Sequence, residues 1–222
     1  WGLQRWLRPA ALPLAIVITI AMSAWWGSQL GLLESWSRWN LSGYESKATW
    51  PYYLATAQTN AGPLQGPRLV FEHDPANSDL GSTRTLEALP MFGSRPALEG
   101  LYMESATSGP FIYQIQAEIS ERPSSPLTRY PSSARSVEHM AGHLSEFYVN
   151  RLVLRSSEKK ALFEADPRFR LIAKHGPLNT YELKDLQTQL VDVISIPLVG
   201  RDRTGWLEHA FRQFLVAFPY QQ

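Results

Sequence analysis

Around Leu89–Ser120 the sequence interleaves charged groups with aromatic rings. Arg84, Glu87, Arg95, Glu99, Glu104 and Glu118 alternate there with Phe92, Tyr102, Phe111 and Tyr113. Sugars present hydroxyls that carboxylates and guanidiniums bind, and C–H faces that rings cover. Arg84, Glu87, Arg95, Glu99, Tyr102, Tyr113 and Glu118 are therefore the candidate ligand-binding residues. A pair of these carboxylates could act as acid and base in glycoside chemistry, which depends on a separation that sequence does not fix. Buried ion pairs and core aromatics leave the same trace, so a structural reading stands beside the binding one.

A second constellation is His139, His143 and Glu146. Spacings of four and three place side chains on one helical face, and two imidazoles with a carboxylate can form an open zinc site. No third histidine is near. These residues lie opposite the apolar stripe of their helix, so a solvated polar face is the plainer expectation, and no metal or other cofactor is expected. His73-Asp74 follows an apolar run, in the kind of loop position that often carries chemistry. There is no Walker loop, dinucleotide fingerprint, G-x-S-x-G elbow or H-E-x-x-H. With no cysteine among 222 residues, disulfides, thiolate metal sites and a cysteine nucleophile are excluded. A net charge of +1 argues against nucleic acid as a partner.

The elements that must position these groups begin with a long apolar run. From Pro9 to Leu33 there is no charge, and Arg5 and Arg8 precede it. A helix over Leu12–Leu33 would rise roughly 33 Å, enough for a bilayer core of about 30 Å. The basic flank predicts a cytoplasmic N-terminal side, with Trp25 and Trp26 at the far interface and the bulk of the chain outside the cytoplasm. A signal peptide and a buried helix are the alternatives, and Ala21-Met22-Ser23 would pass as a cleavage site. The aromatic stretch Trp36, Trp39, Leu41, Tyr44 and Trp50 either lies at the membrane surface or packs under the folded domain. The chain starts at Trp1 rather than methionine, so it reads as a piece of a longer polypeptide.

Beyond this, helical and strand patterns alternate. Thr49 caps a helix with Pro51 in its first turn, and the Gly/Pro stretch 62–67 ends it before a strand at Arg68–Glu72. A short helix at Ser82–Leu89, a turn at Gly93–Pro96, a strand at Leu98–Met103 and a helix at Phe111–Ile119 follow. The Pro- and Ser-rich stretch 121–133 reads as a mobile loop. Residues 133–148 form an amphipathic helix through Val137, Met140, Ala141, Leu144, Phe147 and Tyr148. A strand at Arg151–Arg155, a helix capped by Ser156 or Ser157, and strands at Arg170–Lys174 and Thr180–Lys184 come next. The last elements are an edge strand at Val191–Val199 and a helix capped by Thr204, whose Leu207, Phe211, Phe214, Leu215 and Phe218 pack on the domain. The fold class is α/β: one transmembrane helix followed by a mixed-sheet layered α/β extracytoplasmic domain. The boundaries are 1–33 for the transmembrane part, 34–67 for an aromatic connector, 68–186 for the α/β domain and 187–222 for a terminal strand–helix unit.

The stretch Pro90-Met91-Phe92-Gly93-Ser94-Arg95-Pro96-Ala97-Leu98-Glu99-Gly100-Leu101-Tyr102 resembles the "P-x-F-x-G-R-x-x-L-E-G-x-Y" segment of the "6-pyruvoyl-tetrahydropterin synthase-related, membrane" family, with Ser94 intervening between glycine and arginine. Ser108–Phe111, Gln116–Ser120, and the rhythm from Asn150–Leu154 to Tyr181–Leu183 agree further, so that the resemblance spans about residues 40–200. These polytopic prokaryotic membrane proteins are similar to GT-C type glycosyltransferases. The resemblance implies an outer domain in envelope glycan assembly, with membrane lipid, a polyprenyl-phosphate-linked sugar and a glycan acceptor as partners. In that group the catalytic carboxylate precedes everything present here, so this chain would support binding rather than catalysis. A non-catalytic scaffolding domain and an anchored or secreted carbohydrate-active hydrolase are the alternatives. Under any of them, Arg95 and Glu99 are expected to order the Gly93–Tyr102 turn by pairing with neighbours.

Overall fold

The computed structural model describes residues 2–41, 43, 45, 47–100, 105–124, 126–133, 137–186 and 204–216. The chain forms two compact units, residues 1–47 and 48–222. The first is built on one helix, α1 (Gly2–Leu41), which runs past the expected end near Leu33. No glycine or proline lies between Leu32 and Leu41, so nothing in the backbone chemistry stops it. Within α1, Ala11–Gln29 is a 19-residue span of mean hydropathy 1.6 with none of its window buried. It is long and apolar enough to cross a membrane. Leu12, Ile16, Val17, Ile20, Trp25 and Trp26 are all exposed around its circumference, so none of the described residues covers it. Two of its hydroxyls bond within the helix, Thr19 to the Ala15 carbonyl at 2.9 Å and Ser28 to the Trp25 carbonyl at 2.6 Å.

The second unit is mixed α/β. Its elements are α2 (Trp50–Thr59), β1 (Arg68–Phe71), two 3-10 turns (Pro75–Leu80 and Thr85–Ala88), α3 (Leu89–Gly93), α4 (Gly109–Ile119), α5 (Val137–Glu146), β2 (Val149–Leu154), α6 (Ser157–Glu164), β3 (Phe169–His175), β4 (Leu178–Leu183) and α7 (Trp206–Val216). The four strands form one mixed sheet in the order β1-β2-β4-β3. β1 and β2 are parallel, while β4 is antiparallel to β2 and β3. The β3–β4 hairpin turns at Gly176-Pro177. Gly176 has φ +56, and a Cβ there would lie 2.7 Å from the Tyr52 ring.

Alternation along the strands feeds two cores. Leu69 and Phe71 of β1, Val153 and Leu178 join Tyr53 and Ala57 of α2 with Leu80, Leu86 and Leu89. Val70, Leu152, Leu154, Tyr181 and Leu183 join Ile112 and Ile115 of α4, Met140 and Leu144 of α5, Phe163 of α6 and Phe214 of α7. α7 thus packs on the domain through Phe211 and Phe214, as its spacing predicts. Trp50 stacks on Tyr53 at 5.8 Å and meets Phe92 edge-on at 5.3 Å, so this member of the aromatic stretch packs into the domain.

Several expectations change in detail. Thr49 precedes α2 but does not cap it, because its hydroxyl donates to the Asp79 carbonyl at 2.9 Å instead. The helix expected at Ser82–Leu89 is a 3-10 turn leading into α3. No strand runs from Leu98 to Gly100. Ala97 makes one parallel bridge with Leu69, and Leu98 N–H donates to the Leu69 carbonyl at 2.7 Å before the chain leaves the β1 edge. Ser156 caps α6 as expected, its hydroxyl accepting the Lys159 N–H. The expected strand at Val191–Val199, together with Phe218, lies outside the described residues.

Candidate functional site

The sequence stretch proposed for ligand binding contains the central helix of the domain. α4 begins at Gly109-Pro110, where proline suits a helix's first turn. Every residue from Ile112 to Ile119 is buried. A helix enclosed on all sides cannot leave polar side chains to water, yet Gln114, Gln116 and Glu118 occur at alternate positions along it. Each must find a partner inside the protein.

Glu118 finds three contacts. His143 Nδ1 lies 2.9 Å from Oε1 and 3.0 Å from Oε2, and Gln114 Nε2 donates to Oε1 at 2.8 Å. The same Gln114 clamps the main chain of Ser133, donating to its carbonyl at 2.6 Å and accepting its N–H at 3.0 Å. That clamp pins one end of the Pro/Ser-rich stretch, which has neither helix nor strand among its described residues. The buried Lys159 ammonium of α6 donates to the Glu118 main-chain carbonyl at 2.9 Å.

His143 corrects the sequence reading. It is 1% exposed rather than on a solvated face, and its ring stacks on Phe214 with centroids 4.0 Å apart. Its Nε2 lies 2.9 Å from the Phe214 carbonyl. On α5 it flanks the Met140–Leu144 stripe rather than opposing it, and α4 and α7 close over that flank. Burial pulls the imidazole pKa down, but the Glu118 bond and charge, the Phe214 carbonyl and Glu146 outweigh it, so the net direction is upward from 6.5. Both ring nitrogens of His143 face protein oxygens, so neither is turned toward an open coordination position. His139 is half-buried with its ring 6.5 Å from that of His143, and Glu146 is exposed. Among the described residues no three His, Cys, Asp or Glu side chains converge as a metal site would require.

Glu99 is buried beside Gln116, whose Nε2 donates to Glu99 Oε2. Glu99 Oε1 and Gln116 Oε1 have no partner among the described residues. Burial pushes the Glu99 pKa up to about 8. The Gln116 bond pulls against that shift, Glu87 adds to it and Arg84 opposes it. This carboxyl is therefore largely neutral at pH 7 and holds a proton that an ordinary glutamate has lost. Arg84 and Glu87 pair with each other in an ion pair open to solvent on the arginine side.

Arg95 is fastened to the main chain. Its Nε donates to the Asn60 carbonyl at 2.8 Å, and its Nη1 donates to the Pro67 carbonyl at 2.6 Å and the Asn150 side chain at 3.4 Å. These bonds tie the α3 turn to the end of α2 and the start of β1. Burial lowers its pKa, neighbouring Arg151 lowers it further, and Glu182 opposes both.

Of the candidate residues, Glu99 feels the charges of Glu87 and Arg84, while Glu118 belongs to a separate cluster with His143. Tyr113 is a core residue. Tyr102 and Glu104 lie outside the described residues. His73 Nδ1 lies 2.8 Å from the Arg122 carbonyl, and Asp74 caps the following 3-10 turn by accepting the Ala76 N–H at 2.8 Å. Both are structural. Sequence reasoning missed Gln114, Gln116, Lys159 and Glu72. The available signal was a wholly apolar helix interrupted at i, i+2 and i+4 by groups that bond. A shallow apolar depression of about 340 Å³, lined by Thr107, Ser108, Phe111, Phe147, Trp206 and Phe214, lies where α7 meets α4. No protein family, curated protein or solved structure matches the chain.

Proposed function

We propose that this chain is a membrane-tethered outer domain of a GT-C-like glycosyltransferase of envelope glycan assembly, which shapes donor and acceptor binding rather than supplying the catalytic carboxylate. In this reading Ala11–Gln29 crosses the cytoplasmic membrane, Arg5 and Arg8 stay on the cytoplasmic side, and a layered α/β domain stands outside. The resemblance of Pro90–Tyr102 supports the family. One structural observation favours the supporting role. Two of the polar residues that would otherwise make a sugar site are consumed within the fold, Arg95 by main-chain carbonyls and Glu118 by His143 and Gln114. Residues so engaged build a rigid scaffold and leave little to offer a substrate.

The test uses the complete gene product in proteoliposomes with a polyprenyl-phosphate-linked sugar and a glycan acceptor. Replacing an acidic residue in an outer loop upstream of α1 is expected to abolish transfer, while Glu118→Gln slows it only through reduced stability. A gene product with no further membrane spans, or one that transfers no sugar, overturns the proposal.

A further inference from the structure

We propose that His143, held between the Glu118 carboxylate and the Phe214 carbonyl, is a proton-operated latch that fastens the terminal helix α7 to the domain. A neutral imidazole ring has one N–H and one lone pair, whereas an imidazolium has two N–H donors and no lone pair. Both nitrogens of His143 face oxygen acceptors, a carboxylate at 2.9 Å and a main-chain carbonyl at 2.9 Å. Only the imidazolium donates to both. Glu118 Oε1 also receives the Gln114 N–H, so this side chain faces donors from both α4 and α5.

The position of the second acceptor gives this bond its role. Phe214 belongs to α7, so a bond from His143 to its carbonyl ties that helix to α5. Stacking of the Phe214 ring on the imidazole at 4.0 Å makes the same residue the apolar half of the attachment. Loss of the proton leaves one nitrogen lone pair against an oxygen. The Nδ1–H bond to the Glu118 carboxylate is the stronger of the two, so the contact given up is the one to α7.

The other charged groups around the ring do not replace this proton. On α4 the facing group is Glu118 alone. On α5, His139 is one turn back and Glu146 lies on the exposed side. On α6, Lys159 is committed to the Glu118 carbonyl. On β2, Arg151 pairs with Glu182. On α7 itself, Glu208 pairs with Arg129, His209 with Gln213, and Arg212 bonds back to the Glu208 carbonyl. Since the folded pKa is raised, the latch is fully engaged below pH 6.5, the ordinary value, and disengages as pH climbs through the raised one. Release frees Phe214 from the depression it lines with Phe111, Phe147 and Trp206.

The experiment is hydrogen exchange on the full chain in detergent micelles from about pH 6 to about pH 9, corrected for the intrinsic pH dependence of exchange. Protection of residues 206–216 is expected to fall by about tenfold per pH unit once the latch proton is lost, with β2 and β4 unaffected. Glu118→Gln should move that fall to lower pH, and His143→Gln should leave α7 weakly protected at every pH. Nitrogen chemical shifts of the His143 ring in the unmodified chain keep the idea testable if either variant fails to fold. Two protonated ring nitrogens at neutral pH are the expected result. A neutral tautomer there, or α7 protection that does not change with pH, overturns the latch.

Discussion

The Glu72 carboxylate accepts the backbone N–H of Ser156 at 2.8 Å, fastening the end of β1 to the start of α6. The same oxygen accepts the Arg155 N–H at 2.7 Å, and the other accepts the Glu121 N–H at 3.2 Å. Three main-chain donors from two chain segments thus converge on one fully buried side chain. A carboxylate suits this place because it offers acceptors on both oxygens, and the orphan N–H groups at a helix start favour negative charge.

Glu72→Gln tests that account with little change of shape. The amide turns one acceptor into a donor facing N–H groups, so at least one bond becomes a clash. A loss of about 2–3 kcal/mol in unfolding free energy is expected, the usual cost of an unsatisfied buried group. Denaturant unfolding of the detergent-solubilised chain measures it. A loss below about 0.5 kcal/mol, the scatter of surface changes, would mean the three donors are satisfied some other way.

Arg95 tests the proposed ordering of the α3 turn. Arg95→Ala leaves the carbonyls of Asn60 and Pro67 without their donor and is expected to cost about 2–4 kcal/mol. Arg95→Lys supplies one ammonium where a planar fork served separate carbonyls, so it should recover only part of that loss. Hydrogen exchange over residues 89–98 locates the effect. Unchanged protection there in Arg95→Ala would dismiss this residue as the organiser of the turn.

Glu99 makes stability depend on pH in the direction opposite to most carboxylates. Its folded pKa of about 8 stands above its ordinary value of 4.5, so between these limits the folded state binds more protons. Stability from this group is therefore complete below pH 4.5, declines as pH rises, and reaches its minimum above pH 8. The total is a few kcal/mol. Glu99→Gln cannot ionise and should flatten the profile, with its largest relative gain at the alkaline end. Unfolding free energies at several pH values for both proteins decide it, and parallel profiles would rule the effect out.

The strands were legible because their residues carry the pattern directly. Leu69-Val70-Phe71 and Leu152-Val153-Leu154 are short apolar runs between turn residues, and His175-Gly176-Pro177 marks the hairpin. The site was less legible because burial of a polar residue depends on what closes over it. His143 sits at the margin of its stripe, where α5 alone leaves it open to solvent and the later-arriving α7 does not. Leu98–Gly100 has strand composition but follows Pro96, which has no N–H to donate, and its contact with β1 ends after one bridge. Arg95 and Glu99 were singled out for charge, yet nothing in their spacing distinguishes a side chain that binds sugar from one that binds carbonyls.

The Gly93-Ser94 pair yields a prediction of opposite signs at neighbouring positions. Gly93 packs so closely on α2 that a Cβ would lie 2.6 Å from the Ala57 carbonyl oxygen, a backbone atom that cannot swing away. The glycine is thus used for close approach, and the left-handed cap that ends α3 falls to Ser94 at φ 60. That conformation costs a residue with a side chain roughly 1 kcal/mol and costs glycine almost nothing. Gly93→Ala should therefore destabilise by about 2 kcal/mol or more, as overpacking does. Ser94→Gly should stabilise by about 0.5–1 kcal/mol, less whatever entropy glycine adds to the unfolded chain. Thermal or denaturant unfolding of the two variants compares them directly. Equal effects of the same sign would show that close approach and cap geometry do not divide between these residues as described.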